Sequence, residues 1–516
     1  MDYSFRDHFL KKEYVEAVNS ATEMLKDAKA FDAIHIIGLS LVGDGKVHEG
    51  IKWLSTSLAW PMAHSGWFVN AAMAMKDSQN PEYALMFLER GLTLYPANTD
   101  LTYARGLCLI LTGRWEEAIK SFDTVSQNDL TYNVAAGKGL CLFMLGKPDE
   151  AIALWRDSKP TAEVISSWGL LLLSQAKPQE ALALFESHHF DPEPPAVTYN
   201  KSFLYLGMQN WPLGWKLYRS RALMVDNGVP MFGAYKQPFA NSLDDIRDKH
   251  LLLFSEQGLG DSLMFARFAG LLRPVVGKLT LLVPKTLVRL MRCMHLSVAP
   301  EPRDFDVENG SLGIDAIQAD ADVVMPMLDA PAFLETTVET IPPNPKFIIP
   351  REVSDSRRLP NTDKPRIGLA WIGGSSLSFE TWLLAWRRSM PFETMRPLLD
   401  QSDKFTFISL MTPDRLVEEP RLLQPLQADF DMLDTAAIIV QLDLIITIDT
   451  VIAHLAGSLG KPVWLLLRHD SDWRWLWDGR EDSPWYPNMR LYRQTSPDSW
   501  PDIIERVSND LKLIGY

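Results

Sequence analysis

"LIITIDTVIAHLAGSLGKPVWLLL", residues 444–467, reads as strand, turn, helix, tight glycine turn and strand. Two continuous apolar runs joined by one helix predict a parallel sheet covered on both faces, since a half-exposed sheet would alternate apolar with polar residues. Ligands bind such sheets outside the carboxyl ends of the strands. Asp449 and Thr450 end the first run at that edge. The N–H groups of Thr450, Val451 and Ile452 then open a helix, which suits a diphosphate. His454 lies one turn in and faces the same way as Thr450. Asp449 needs a donor to satisfy it, and a sugar hydroxyl would serve. Upstream, "DMLDTAAII" puts Asp434 and Thr435 at another helix start, where N–H groups could take a base or ribose.

Working outward, similar runs begin at Leu251, Lys278, Ala321, Arg366, Lys404 and Lys461, with helical segments between most of them. The proline-rich "TIPPNPKFIIP" from Thr340 divides this half into lobes at 248–350 and 351–516, leaving a cleft. In the first lobe, "SEQGLGDSLMFARF" (255–268) follows the first run. It is not the dinucleotide fingerprint, because Leu263 stands where a small residue is needed, and it has no Walker lysine. It offers a turn supported by Gln257, Gly258 and Gly260 and one carboxylate, Asp261, at a helix start. A carboxylate there is held as the anion, which suits a general base and repels phosphate. The plain alternative is that Asp261 only caps the helix.

The other half repeats itself. A small residue recurs at Ala17, Gly50, Ala84, Ala118, Ala151, Ala181 and Gly214, at separations of 33, 34, 34, 33, 30 and 33 residues. Each lies in a second helix such as "RWEEAIKSFDTV", after a first such as "ARGLCLILTG". The small side chain lets two helices approach, and Leu, Phe or Trp three to four positions on fills the groove. This grammar resembles the tetratricopeptide repeat over residues 1–225, about seven copies, with 226–247 as a linker. Such arrays stack into a superhelix whose concave face commonly holds a peptide or protein.

The whole chain, 516 residues with a formal net charge of −14, is globular in composition and acidic. That excludes a general nucleic-acid binder, which needs a basic face. Cys108, Cys141 and Cys293 have no metal-ligand spacing and read as free buried thiols in a reducing compartment. The N-terminus has no signal-peptide core, and no apolar run reaches transmembrane length, so a cytoplasmic location is expected.

Together, "SEQGLGDSLMFARF", "RIGLAWIGG", "RRSMP", "DTAAII", "IDTVIAHLAGSLGKPVWLLL" and "DWRWLWDGREDSPWYPNMRLYRQ" resemble the tetratricopeptide-repeat glycosyltransferases of bacteria. The catalytic part, about residues 245–515, is similar to the heptosyltransferase family with its two Rossmann-like lobes, the GT-B fold. The resemblance implies an all-α repeat array followed by α/β GT-B. It implies transfer from a nucleotide-sugar to a protein acceptor such as flagellin or another surface protein, held by the repeats. The catalytic base falls on Asp261, and the donor's diphosphate and sugar on Asp449, Thr450, Val451 and His454. A phosphate-contacting basic residue falls on Arg387 or Arg388. No metal and no cofactor beyond the nucleotide-sugar co-substrate are expected. One departure stands out: relatives usually have a short polar turn after the "GLAW" strand, where this chain has the remodelled, apolar 372–386 before Arg388-Ser389.

The tryptophan-rich 468–486 could place Asp472, Trp473 and Arg474 against a sugar or acceptor, or could brace the last crossover. Two other readings stay open: a non-catalytic scaffold with a degenerate GT-B half, and a transferase acting on lipid or polysaccharide.

Overall fold

The computed structural model describes residues 8–9, 11, 13–25, 31–59, 63–78, 80–125, 133–226, 229–230, 237–295, 305–309, 321–373, 388–497 and 499–514. The chain divides into two compact units, one of residues 1–171 and one of 172–375 with 382–516.

The first unit is helical: α1 (Tyr14–Leu25), α2 (Phe31–Gly43), α3 (Val47–Leu58), α4 (Ser65–Asp77), α5 (Pro81–Leu94), α6 (Thr99–Leu111), α7 (Trp115–Asp123), α8 (Val134–Met144) and α9 (Pro148–Arg156), with α10 (Ala162–Ser174) running across the boundary. In the second unit α11 (Pro178–Ser187), α12 (Pro195–Gly207) and α13 (Trp211–Tyr218) continue the pattern. All seven recurring small residues are buried, and from Gly50 onward each lies in the second helix of a pair. Four residues on, six of the seven carry a large groove filler, Leu54, Leu88, Phe122, Trp155, Phe185 and Tyr218, while the first has Ala21; every one is buried. The 3.6-residue helical period puts both on one face, so spacing in sequence becomes packing. Cys108 and Cys141 are buried free thiols, and desolvation pushes both up to about 12.

After the repeats come two all-parallel sheets. The first holds β1 (His250–Phe254), β2 (Lys278–Val283), β3 (Phe305–Asn309) and β4 (Val323–Pro326), in the order β3-β2-β1-β4. The second holds β5 (Arg366–Ala370), β6 (Thr406–Ser409), β7 (Leu422–Leu423), β8 (Leu444–Ile448), β9 (Val463–Leu467) and β10 (Met489–Arg493), in the order β7-β6-β5-β8-β9-β10. Both orders are the doubly wound pattern, which reverses direction between the first and fourth strands and opens a crevice there. Helix α14 (Leu259–Phe265) follows β1 and helix α15 (Lys285–Met291) follows β2. Helices α16 (Met432–Ile439) and α17 (Val451–Ser458) flank β8, and α18 (Trp500–Leu513) closes the chain.

Helical periodicity ends near residue 225, but the packing does not break there. Leu206, Trp211, Trp215 and Tyr218 belong to the same continuous apolar core as the two sheets. Trp211 stacks on Trp485 with centroids 5.4 Å apart, and Trp215 meets Trp473 edge-on at 5.4 Å. Gly207 is pressed by Trp477: a Cβ there would lie 2.5 Å from the indole ring. The last helices of the array are thus built into the α/β unit.

Candidate active site

Strand β1 delivers its end to the switch point of the first sheet, and β8 delivers its end to that of the second. Beyond β1, Gln257 adopts φ +60°, the left-handed region that non-glycine residues avoid, and turns the chain into α14. The Gly258 N–H donates to Asp261 Oδ2 at 3.0 Å, so the carboxylate does cap its own helix. Only one oxygen is used in this way. The other, Oδ1, accepts from the guanidinium of Arg474, which follows β9 in the second sheet's half. Arg474 also donates to Asp472 Oδ1 at 2.9 Å and lies over the Trp473 ring at 4.5 Å. Burial works against its charge, but the carboxylates of Asp261 and Asp472 outweigh that and hold its pKa well above the ordinary value.

Beyond β8, Thr450 caps α17 and its hydroxyl accepts from the Ile452 N–H at 3.3 Å. Val451 begins the helix, half-buried. His454 is buried one turn in, with Nδ1 3.0 Å from the Tyr486 hydroxyl and its ring stacked on Trp475 at 5.6 Å. Its Nε2 lies 3.8 Å from Asp449 Oδ1. Desolvation lowers the His454 pKa, against the opposing pull of Asp449 and Asp261, so the imidazole is neutral at physiological pH. The two ends meet directly. A Cβ on Gly260 would stand 2.6 Å from His454 Cδ2, so α14 of one lobe lies against α17 of the other.

Asp261, Asp449, Thr450, His454, Asp472 and Arg474 therefore share one neighbourhood, with Gln257, Gly258 and Gly260 forming the loop beneath the carboxylate. Asp449 already has one donor within the chain, the Trp475 indole N–H, which reaches its Oδ2 at 3.0 Å. Trp473 does not present a face to a sugar: it is buried among Trp215, Tyr218 and Arg474, and Trp475 and Trp485 are buried too. These tryptophans brace the crossover.

Asp434 and Thr435 lie in a different set of contacts. Asp434 accepts from Arg289 on α15 and from Arg357, each at 2.9 Å, while the Thr435 hydroxyl donates to the Asp431 carbonyl at 3.1 Å. The N-terminus of α16 is already capped by the Asp431 side chain, which accepts from Leu433 and Asp434 N–H groups. Asp434 joins the lobes rather than standing open to a ligand. Arg388 is half-buried near the end of β5, where the Gly373 N–H donates to the Ser389 hydroxyl at 2.9 Å. Its Nε has no hydrogen-bond partner among the described residues. Arg387 and most of the remodelled 372–386 loop lie outside the described residues.

Sequence reading missed Tyr199, Tyr218, Arg221, Glu256 and Tyr486. Arg221 is buried in an ion-paired triad with Glu256 and Asp329, at 2.8 Å from Nε to Glu256 Oε2 and 2.7 Å from Nη2 to Asp329 Oδ1. Glu256, two residues past an apolar strand, was the available signal, since a carboxylate buried there requires a cation.

No family model matches the chain. Protein FlbA of Caulobacter vibrioides (strain ATCC 19089 / CIP 103742 / CB 15) is 26% identical over 326 residues, 58% of this chain and 52% of the relative. The chain thus spans about half the length of the curated relative it matches. Among solved structures, the glycosyl transferase family 9 protein from Veillonella parvula DSM 2008 aligns over 53% of this chain and 91% of its own, at 15% identity and TM-score 0.36. YrrB, described as a TPR protein with an unusual peptide-binding site, aligns over 34% of this chain and 88% of its own, at 19% identity and TM-score 0.27. At such scores the element order of the chain itself defines the fold. That order is a tetratricopeptide-type helical array followed by two doubly wound parallel α/β lobes of the GT-B kind.

Proposed function

We propose that the chain is a glycosyltransferase that moves a sugar from a nucleotide-sugar to a protein hydroxyl, with inversion and without a metal. The helical array would recruit the acceptor protein, flagellin or another surface protein being the kind expected. The observation that carries the reading is the meeting of two switch points: Asp261 beyond β1 and the Asp449–His454 turn beyond β8, in contact through Gly260 and His454. In this reading Asp261 takes the acceptor proton as the new C–O bond forms and the bond to the diphosphate oxygen breaks. A base so placed contributes roughly two to four orders of magnitude. The opening turn of α17 and Arg388 would meet the charge growing on the departing diphosphate. Among the described residues no group of three or more His, Cys, Asp or Glu is placed to hold a metal ion.

The Arg474 pair gives Asp261 a defined aim. That both Asp261 oxygens are already paired within the chain favours the second reading, a protein that binds a nucleotide-sugar and does not turn it over. A panel of nucleotide-sugars separates the two. One member should raise the melting temperature, by the equivalent of about 2.7 kcal/mol at a hundredfold excess over Kd. The same member should be hydrolysed or transferred. Stabilisation without turnover would favour the binding protein, and no stabilisation by any member would refute both.

A further inference from the structure

We propose that Tyr218, on the last helix of the array, is a positioning residue for the Asp261 carboxylate, so that the array ends as a wall of the catalytic site. Its catalytic consequence rests on the glycosyltransferase reading, whereas the positioning itself rests on geometry alone.

Tyr218 occupies the groove-filling position, four residues after Gly214, where the five preceding repeats place Leu54, Leu88, Phe122, Trp155 and Phe185. A phenyl ring would fill that groove equally well. What the last repeat adds is a hydroxyl, and the hydroxyl leaves the array. The Gln257 side-chain amide donates to it at 2.9 Å and to the Tyr199 hydroxyl of α12 at 3.0 Å. Desolvation pushes the Tyr218 phenol well above its ordinary pKa, so it stays protonated.

Gln257 is the residue held at φ +60°, a conformation that persists only where the surroundings over-determine it. The next N–H, that of Gly258, fixes Asp261 Oδ2. Tyr218 therefore acts on the carboxylate through the backbone turn it secures. It reaches the same carboxylate from the other side as well. Its ring meets Trp473 edge-on at 6.0 Å, Trp473 lies beneath the Arg474 guanidinium, and Arg474 pairs with Asp261 Oδ1. The contacts close a ring: Tyr218, Gln257, Gly258, Asp261, Arg474, Trp473 and back to Tyr218. Arg221, whose guanidinium lies over the Tyr218 ring at 4.6 Å, anchors the same loop through Glu256.

Tyr218→Phe in the full chain removes the hydroxyl and keeps the groove filler. Amide hydrogen exchange over residues 255–263 should become faster in the variant while the repeat helices and the melting temperature hold. With a nucleotide-sugar the chain turns over, kcat should fall roughly tenfold to a hundredfold with the donor KM unchanged, the loss expected for a misplaced catalytic group. Gln257→Ala should reproduce both effects and add little to Tyr218→Phe. Unchanged exchange in the 255–263 segment overturns the proposal, as does faster exchange with full kcat. Faster exchange in a chain whose native form turns over no nucleotide-sugar would leave the positioning established and remove the transferase reading instead.

Discussion

Gly260 of the first lobe lies against His454 of the second, closely enough that a Cβ would come within 2.6 Å of the ring. The ring has no room to retreat, since Tyr486 and Trp475 hold it on two sides. Gly260→Ala should therefore push α14 away from α17. Overpacking of this kind costs about 1–3 kcal/mol. Denaturant unfolding should show that loss, and affinity for nucleotide-sugar should fall with it. An unchanged midpoint and affinity would mean the two helices are free to separate.

Truncation reports on the same unit from the other side. A fragment of residues 175–516 keeps α11 to α13 and should unfold in a single cooperative transition. A fragment beginning at residue 226 loses Trp211, Trp215 and Tyr218 from the shared core and exposes the faces of Trp473 and Trp485. Removing large aromatics from a core costs about 3–5 kcal/mol each. That shorter fragment should be aggregated or lack a cooperative transition by calorimetry. Equal behaviour of the two would contradict the shared core.

Asp434→Asn tests whether this carboxylate serves structure or donor. The side chain is buried between Arg289 and Arg357, and both guanidinia reach the solvent. Hydrogen bonds to charged groups contribute about 1.5–3 kcal/mol. The variant should lose stability in that range while nucleotide-sugar still raises its melting temperature by the native increment. Loss of the ligand-induced increment alone would return Asp434 to the donor site.

In the first unit, His35 gives the array an acid-sensitive point. It is buried and stacked on Trp67 at 4.8 Å, with Nδ1 3.0 Å from the Ser57 hydroxyl. That hydroxyl donates to the Leu54 carbonyl, so the imidazole must donate from Nδ1, and buried Nε2 has no partner among the described residues. Desolvation first, then nearby His64, lowers its pKa to about 3, against 6.5 when exposed. The unfolded chain thus binds the proton first, and stability falls as pH drops from 6.5 towards 3. By pH 5 the loss should be on the order of 2 kcal/mol. Urea titrations of the native chain and His35→Phe between pH 7 and 5 should diverge. Parallel curves would show that His35 is free to charge in the folded state.

The repeats were legible because one small residue recurs with its groove filler four positions on, and seven apolar runs matched seven strands. Strand β3 escaped because Phe305–Asn309 is a charged edge strand with little to bury, and β10 because Met489–Arg493 alternates. At the candidate site, the positions of Asp261, Asp449 and His454 could be read, since strand ends and helix starts are local features. Their partners could not. Arg474 lies 213 residues from Asp261 in sequence, and Trp475 lies 26 from Asp449. Only the folded crossover brings them together. For the tryptophans of 473–485 the sequence left open a sugar platform or a brace for the crossover, and their burial assigns them to the core.

In the proposed transfer Asp261 is the proton acceptor. Asp261→Asn is nearly isosteric, keeps an oxygen for Gly258 and removes the charge. With the nucleotide-sugar that stabilises the native chain, turnover in the variant should fall by about two to four orders of magnitude. Donor binding, read by the same thermal shift, should persist. Full turnover by Asp261→Asn would contradict the assignment and the transferase built on it.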